Sequence, residues 1–414
     1  MLSPYRVLDL TTERGLLCGQ ILADFGADVI KVEPPGGSPA RRIGPFYHDE
    51  RHPDRSLYWW AYNRNKRSIT LDIQRAEGQA LLKRLLAKAD FFIESDNPGT
   101  LATLGLGYAE LAAVNPALVY VSITPFGQDG PKASYADSDL VILAAGGPMI
   151  IAGDDDRPPL RISVPQAYLH ASAEAVIAAL IAHHERVRSG VGQHVDVSAQ
   201  QSVAQATQAY ILSAPFGDSE ARRMAGGLKV GPLNLRLLWP AKDGHVSITF
   251  LFGTAFAHFT KRLMQWICEE GLCDEATRDK DWAAYGAYLF TGGEEAIADY
   301  ERLKLVVERF STSKTKAELL QGALARAVLI APVSTIDEVV GSEQLAARQY
   351  WQNVEHPELQ TTIRYPGPFV KYSETPLAYR RRPPLVGEHN REVYVDELRV
   401  TEDELTDLQT KGVI

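Results

Sequence analysis

Between Tyr5 and Thr124 the chain alternates short apolar runs with segments of helical spacing, and this alternation restricts the fold more than any other feature. "YRVLDLT" reads as a strand. "LLCGQILADFG" follows, with Leu17, Ile21, Leu22 and Phe25 on one helical face and Gly26 as a C-terminal cap. "ADVIKVE" is the next strand and completes a β-α-β unit. "RSITLDI", a helix over "AEGQALLKRLLAKA", "DFFIES", a helix at "YAELAAVNP" and then "LVYVSIT" continue the pattern. Strands alternating with amphipathic helices predict a doubly wound, mainly parallel α/β sheet.

After "GQHVDVSAQQSVAQATQAYIL" the texture changes. Residues from about 220 to 330 hold a glycine-containing loop (Gly226, Gly227, Gly231), a strand at "HVSITFL" and helices rich in Trp, Lys and Glu. From "LIAPVSTIDEVV" the β/α texture returns. The expected layout is a large α/β domain built from residues 1–220 and 331–414, with a smaller α+β domain inserted over 221–330.

A net charge of -9 carries no basic excess, which argues against a nucleic-acid partner. The three cysteines, Cys18, Cys268 and Cys273, form no metal-ligand pattern, and their odd number fits a reducing compartment. No apolar stretch reaches the roughly 18 residues that span a bilayer. The opening "MLSPYRVLDLTT" lacks the regions of a signal peptide, so no membrane association and a cytoplasmic location are expected. No G-x-G-x-x-G follows the first strand, there is no Walker lysine loop, and no G-x-S-x-G elbow is present. Asp154–Asp156 read as a hydrated turn rather than metal ligands, and no metal is expected. His183 and His184 are helical neighbours about 100° apart, so they cannot face one ligand together. Arg380–Arg382 read as an ion-paired or solvated turn. "NRNKRSITLDI", with Arg64, Lys66 and Arg67 before a strand, reads either as a charged surface loop or as a phosphate-holding one.

Six segments in order change that balance: "RVLDLT…GQILADFGADVIKVEPPGG", "NRNKRSITLDI", "LGLGYAELAAVNPALVYVSITPFGQDGP", "SGVGQHVDVSAQQSV", "LWPAKDGHVSI" and "PPLVGEHN". With them the chain resembles the class III coenzyme A transferases, from Tyr5 to about Tyr394. The resemblance implies a Rossmann-like large domain, a small domain and interlocked dimers. It also implies a chemistry in which an aspartate carboxylate attacks an acyl-CoA thioester. A mixed anhydride and then an aspartyl-CoA thioester follow, and the incoming acid repeats the exchange.

In the family that aspartate stands just before the helix leading into "AAL…R…SGxGQ". Here Pro165 or Gln166 occupies the position, and neither offers a carboxylate. Glu174 lies roughly 12 Å further along by helix rise. The CoA site looks eroded too: Pro34 stands where relatives carry an arginine, Asp96 where an aromatic is usual, and Thr103 at a basic position. By resemblance, Arg41, Arg42, Asn63, Lys66 and Arg67 are the residues left to hold CoA.

The chain is therefore expected to be the non-catalytic subunit of a heteromeric CoA-transferase. It would pair with an aspartate-bearing paralogous chain and take acyl-CoA and carboxylic acid substrates, with no covalently bound cofactor. Two-chain members of the family act on (R)-benzylsuccinate with succinyl-CoA as donor, in anaerobic toluene breakdown, and that is the role the resemblance suggests. The alternatives are an active homodimeric acyl-CoA isomerase or racemase with different chemistry, and a CoA-binding scaffold.

Overall fold

A computed structural model describes residues 1–216, 223–230 and 233–414. Gly231 and the expected boundary at 220/221 lie outside the described residues.

The chain divides into two compact units. The larger comprises residues 1–148, 161–215 and 344–414, and the smaller comprises 149–160 and 216–343. The larger unit begins with β1 (Arg6–Asp9), α1 (Leu16–Asp24), β2 (Asp28–Glu33), α2 (Leu57–Asn63), β3 (Arg67–Thr70), α3 (Ala76–Leu86) and β4 (Phe91–Glu94). It continues with α4 (Thr100–Thr103), α5 (Tyr108–Val114), β5 (Val119–Thr124), α6 (Asp139–Ala145), α7 (Ala167–Ser189) and β6 (His194–Ser198). The strands form one six-stranded sheet in the order β3-β2-β1-β4-β5-β6, and every pair is parallel. Each strand anticipated from the apolar runs is there, and "HVDVS" supplies the sixth.

The burial of these strands explains their sequence. β3, β4 and β5 are buried at every position, as expected of a sheet covered on both faces. α1 differs from the one-sided helix expected of it: eight of its nine residues are buried, because it packs on the sheet on one side and against α7 and α2 on others. Gly26, at φ 105°, turns the chain out of that helix into β2.

The smaller unit has its own core around Trp239, Phe250, Trp266, Tyr300 and Phe310. Its three-stranded sheet pairs Gly244–Ile248 with Leu238–Ala241 on one side and Ile330–Pro332 on the other, both antiparallel. The segment at Ile330, where the β/α texture resumes, thus closes this small sheet, and residues up to 343 stay with the smaller unit. Gly227–Val230 and Leu233–Arg236 form a separate antiparallel ribbon.

Candidate active-site region

In a doubly wound sheet, ligands collect beyond the carboxyl ends of the strands where the strand order reverses. Here the reversal lies between β1 and β4. The strands around it end in buried charge: Asp9 on β1, Lys31 and Glu33 on β2, and Glu94 on β4.

Asp9 accepts from Thr11 Oγ1 (2.6 Å), Lys31 Nζ (3.2 Å) and Lys66 Nζ (2.8 Å). Burial alone would raise its pKa, but the two ammonium groups outweigh burial and hold it at about 2. Gly19 is required beside it, since an added Cβ would stand 2.2 Å from Asp9 Oδ2. Glu33 forms a second buried centre. It takes two bonds from Arg41 (2.6 and 2.8 Å), one from Ser68 Oγ (2.6 Å) and one from the Ser38 N–H (2.8 Å).

These centres engage most of the residues expected to hold CoA. Lys66 is fully buried and donates to Asp9, Leu16 O and Asn63 Oδ1, which uses all three of its N–H groups. Asn63 is buried with it and also donates to Trp59 O. Arg67 pairs with Asp28, Glu392 and Glu397. Arg41 is locked on Glu33 and Asp54 and stacks 3.8 Å above Trp59. A phosphate could reach Arg41, Lys66 or Arg67 only by displacing the carboxylates they already pair with. Arg42 alone of the five is exposed. Arg64, beside them in sequence, is bound to Asp24. "NRNKRS" is therefore neither a charged surface loop nor an open phosphate cradle, because its cations are turned inward.

The switch point itself is filled by the chain's own side chains. Arg14, from the loop after β1, donates to Ser95 O (3.2 Å) and Asn97 Oδ1 (2.9 Å) beyond β4, and to Asp137 (2.6 Å). Tyr168, in the first turn of α7, donates to the other oxygen of Asp137. Pro165 is exposed and Gln166 is the N-cap of α7, but the Gln166 side chain does not cap the helix. Asp139, from the start of α6, does so in its place. Its Oδ1 accepts from the N–H groups of Gln166 (2.6 Å) and Ala167 (2.8 Å), where the helix dipole favours an anion. Its Oδ2 is buried without a hydrogen bond, 3.8 Å from Arg161 Nε. Glu174 faces elsewhere and accepts from Ser202 Oγ (2.7 Å).

Sequence reasoning missed Arg14, Asp137, Asp139 and Tyr168. The signal available was local: Ser138-Asp139 opens a helix with Ser138 as its cap, and Arg14 sits in the loop after the first strand.

The eroded segment follows β4. Burial raises the pKa of Asp96, with Arg14 and Lys31 opposing. Thr103 is exposed and bonds only within its own turn, and Pro34 is exposed. Nearby, burial pushes Glu94 up to about 7, against hydrogen bonds from Ser122 and the Asp96 N–H, while Asp96 and Asp196 add to the rise. Ser122 in turn meets His194 Nε2 at 2.9 Å. A raised acid makes the folded state bind its proton more tightly than the unfolded chain. The stability from Glu94 is therefore complete below the unfolded value near pH 4.3 and is lost as pH rises towards 7, by up to about 3 kcal/mol. Glu94→Gln is expected to gain on the parent protein by that amount between pH 4 and 8, read from urea midpoints. Parallel curves for the two proteins would show that Glu94 ionises normally.

The remaining motifs are structural. Asp155 pairs with Lys229, and Asp154 accepts from the Ala225 N–H. Among the described residues no group of three or more His, Cys, Asp or Glu could hold a metal ion, and no helix is long and apolar enough to cross a membrane. His183 packs edge-on against Tyr5 at 4.4 Å, while His184 is exposed. Arg382 pairs with Glu358 and Glu388, and Arg380 donates to Ala23 O.

The chain thus has a switch point filled by its own charged side chains and an acid-capped helix, α7. The model of CoA-transferase family III matches residues 2–390. The chain belongs to CoA-transferase family III. Within that family it is 35% identical, over 95% of its length and 93% of the relative's, to the succinyl-CoA:(R)-benzylsuccinate CoA-transferase subunit BbsE of Thauera aromatica. It is also 35% identical, over 100% of its length and 98% of the relative's, to the succinyl-CoA–D-citramalate CoA-transferase of Chloroflexus aurantiacus. A solved structure, that of a CAIB/BAIF family protein from Brucella suis, superposes with a TM-score of 0.79 at 30% identity and covers 95% of this chain and 98% of its own. The fold is that of family III, and the relatives' shared activity is CoA transfer.

Proposed function

We propose that this chain is the aspartate-lacking, non-catalytic subunit of a heteromeric CoA-transferase. Its partner would be a paralogous chain that carries the nucleophile and moves CoA from a donor such as succinyl-CoA to an acid such as (R)-benzylsuccinate. One observation carries the reading. At the start of α7, where the resemblance puts the attacking carboxylate, the chain has Pro165 and Gln166, and the free amides of the helix are taken by Asp139 from another element. A carboxylate that accepts two backbone N–H bonds is stabilised as an anion and is correspondingly a weaker nucleophile.

Two observations support a partner. A relative 35% identical to this chain is itself a subunit. In addition, α7 buries Ala171, Ala175, Ala179 and Ala182 inward but leaves Ile177, Ile181 and Val187 60–68% exposed. An apolar ridge of this kind on a long helix is a protein-contact surface in search of cover. An interlocked dimer, with active sites that borrow surface from both chains, would cover it.

A second reading has one specific observation in its favour. Asp139 Oδ2 is buried and lacks a hydrogen bond, so Asp139 could replace the missing carboxylate in an active homodimer. Incubation with acyl-CoA and hydroxylamine separates the two readings. A non-catalytic chain carries no hydroxamate or CoA adduct between Asp137 and Leu180, whereas an adduct on Asp139 would establish the second reading and end the first.

Gln166→Asp is expected to confer no transferase activity. The new carboxylate would stand beside Asp139, which already accepts from the residue-166 N–H, and the charges absent at Pro34 and Thr103 would still be missing, each charge-assisted contact being worth about 1.5–3 kcal/mol. Gln166→Ala in the assembled heteromer is expected to keep most of the activity. Turnover by the single Gln166→Asp chain would show the CoA site to be intact.

A further inference from the structure

The three cysteines take no part in the region described above. Cys18 is buried, and burial raises its thiol, so it is closed to reagents. Cys268 and Cys273 are both partly exposed and lie in the smaller unit, with four residues between them.

The backbone brings this pair together. At the end of the helix Ala257–Glu269 the Gly271 N–H donates to Cys268 O (2.9 Å) and the Leu272 N–H to Ile267 O (3.1 Å). Gly271 stands at φ 74°, the left-handed conformation that such a double-bonded helix ending takes. The chain thereby doubles back, and Leu272 and Cys273 pack against the core of the unit. Cys273 Sγ donates to Met264 O at 3.7 Å. In a helix that carbonyl also accepts from the N–H of residue 268, and helical side chains lean towards the N-terminus, so the Cys268 thiol lies over the same turn. Burial, and then the Cys268 thiol within hydrogen-bond reach, push the Cys273 thiol up to about 11, with Asp274 adding to the rise and Arg278 opposing it. Cys273 thus keeps its proton until a sulfur it can attack is held beside it. The residues between the two, Glu269 to Gly271, are exposed, so a small reagent can approach from that side.

We propose that Cys268 and Cys273 form a reversible disulfide site that locks this turn when a small-molecule disulfide is present as oxidant. Cys268 gives up its proton, and its sulfur attacks one sulfur of the oxidant. The oxidant's S–S bond breaks and one thiolate leaves. Cys273 gives up its proton and attacks the Cys268 sulfur, and the second thiolate leaves. Two cysteine thiols are oxidised to one disulfide, and the oxidant is reduced to two thiols that take up the two protons. Because the folded turn already brings the ends of this short ring together, the bond restricts mainly the unfolded chain.

The test treats the full, folded chain with glutathione disulfide and follows it by mass spectrometry. The product should be lighter by two hydrogen atoms and should retain no glutathione. Digestion with trypsin and a glutamate-specific protease should then give residues 263–270 joined to residues 271–275, and dithiothreitol should separate them. The unfolding temperature should rise by a few degrees on oxidation and return on reduction. Cys273→Ser should stop at the first step and keep glutathione on Cys268, and Cys268→Ser should give no joined peptides. Oxidation of the parent chain needs no variant to fold, so it decides the matter by itself. Retention of glutathione by the parent chain, or joined peptides that appear only after urea unfolding, overturns the site. A bond that forms but leaves the unfolding temperature unchanged or lowered overturns the lock. None of these outcomes depends on whether the chain is catalytic.

Discussion

Purified alone and supplied with succinyl-CoA and (R)-benzylsuccinate, the chain is expected to transfer no CoA. Activity should appear only when an aspartate-bearing paralogue is co-expressed with it. The expected contrast is large, at least about a thousandfold, because losing a nucleophile removes the covalent route itself rather than one contact to its transition state. The two chains should elute together in equal amounts, since a ridge such as Ile177, Ile181 and Val187 is costly to leave in water. Replacing the partner's aspartate should abolish turnover. A stable, active homodimer of this chain would refute the heteromer.

The second large effect concerns stability. Among the described residues, Asp9 is the only carboxylate hydrogen-bonded to Lys31 and Lys66 in their buried cluster. Asp9→Asn should therefore leave two uncompensated ammonium groups in the interior and cost about 3–5 kcal/mol or more. Lys66→Met should cost less, because it removes the cation whose pKa burial already lowers and leaves Asp9 paired with Lys31 in a neutral cluster. Urea unfolding of the two variants measures the order directly. The same pair of proteins tests the expectation that Lys66 contacts CoA. Loss of nucleotide affinity in Lys66→Met at unchanged stability would mean that Lys66 reaches a ligand after all.

Much of the framework was legible from local pattern. The apolar runs at Val7, Val29, Ile69, Phe91 and Val119 each became a buried parallel strand, since a strand covered on both faces must be apolar almost throughout. The segment at Ile330 was misleading for the same reason. A three-residue apolar run carries no information about its partner, and it paired with Gly244–Ile248 in the smaller unit. The site was harder to read. Arg14, Asp137 and Tyr168 come from three loops and helix ends, and Asp139 caps a helix that begins 28 residues later.

By itself the sequence determined which chemical groups exist at each point along α7, and so that the helix brings no carboxylate of its own to its first turn. Composition at a named position is a local fact that folding cannot alter. Which cations remain free for a ligand was decided only by the tertiary structure. Arg67 meets Glu397 across 330 residues and Lys66 meets Asp9 across 57, whereas Arg42 and Arg51 are left facing a cavity. A charge's availability depends on its solvation and on the opposite charges within a few ångströms, and chain separation says nothing about either.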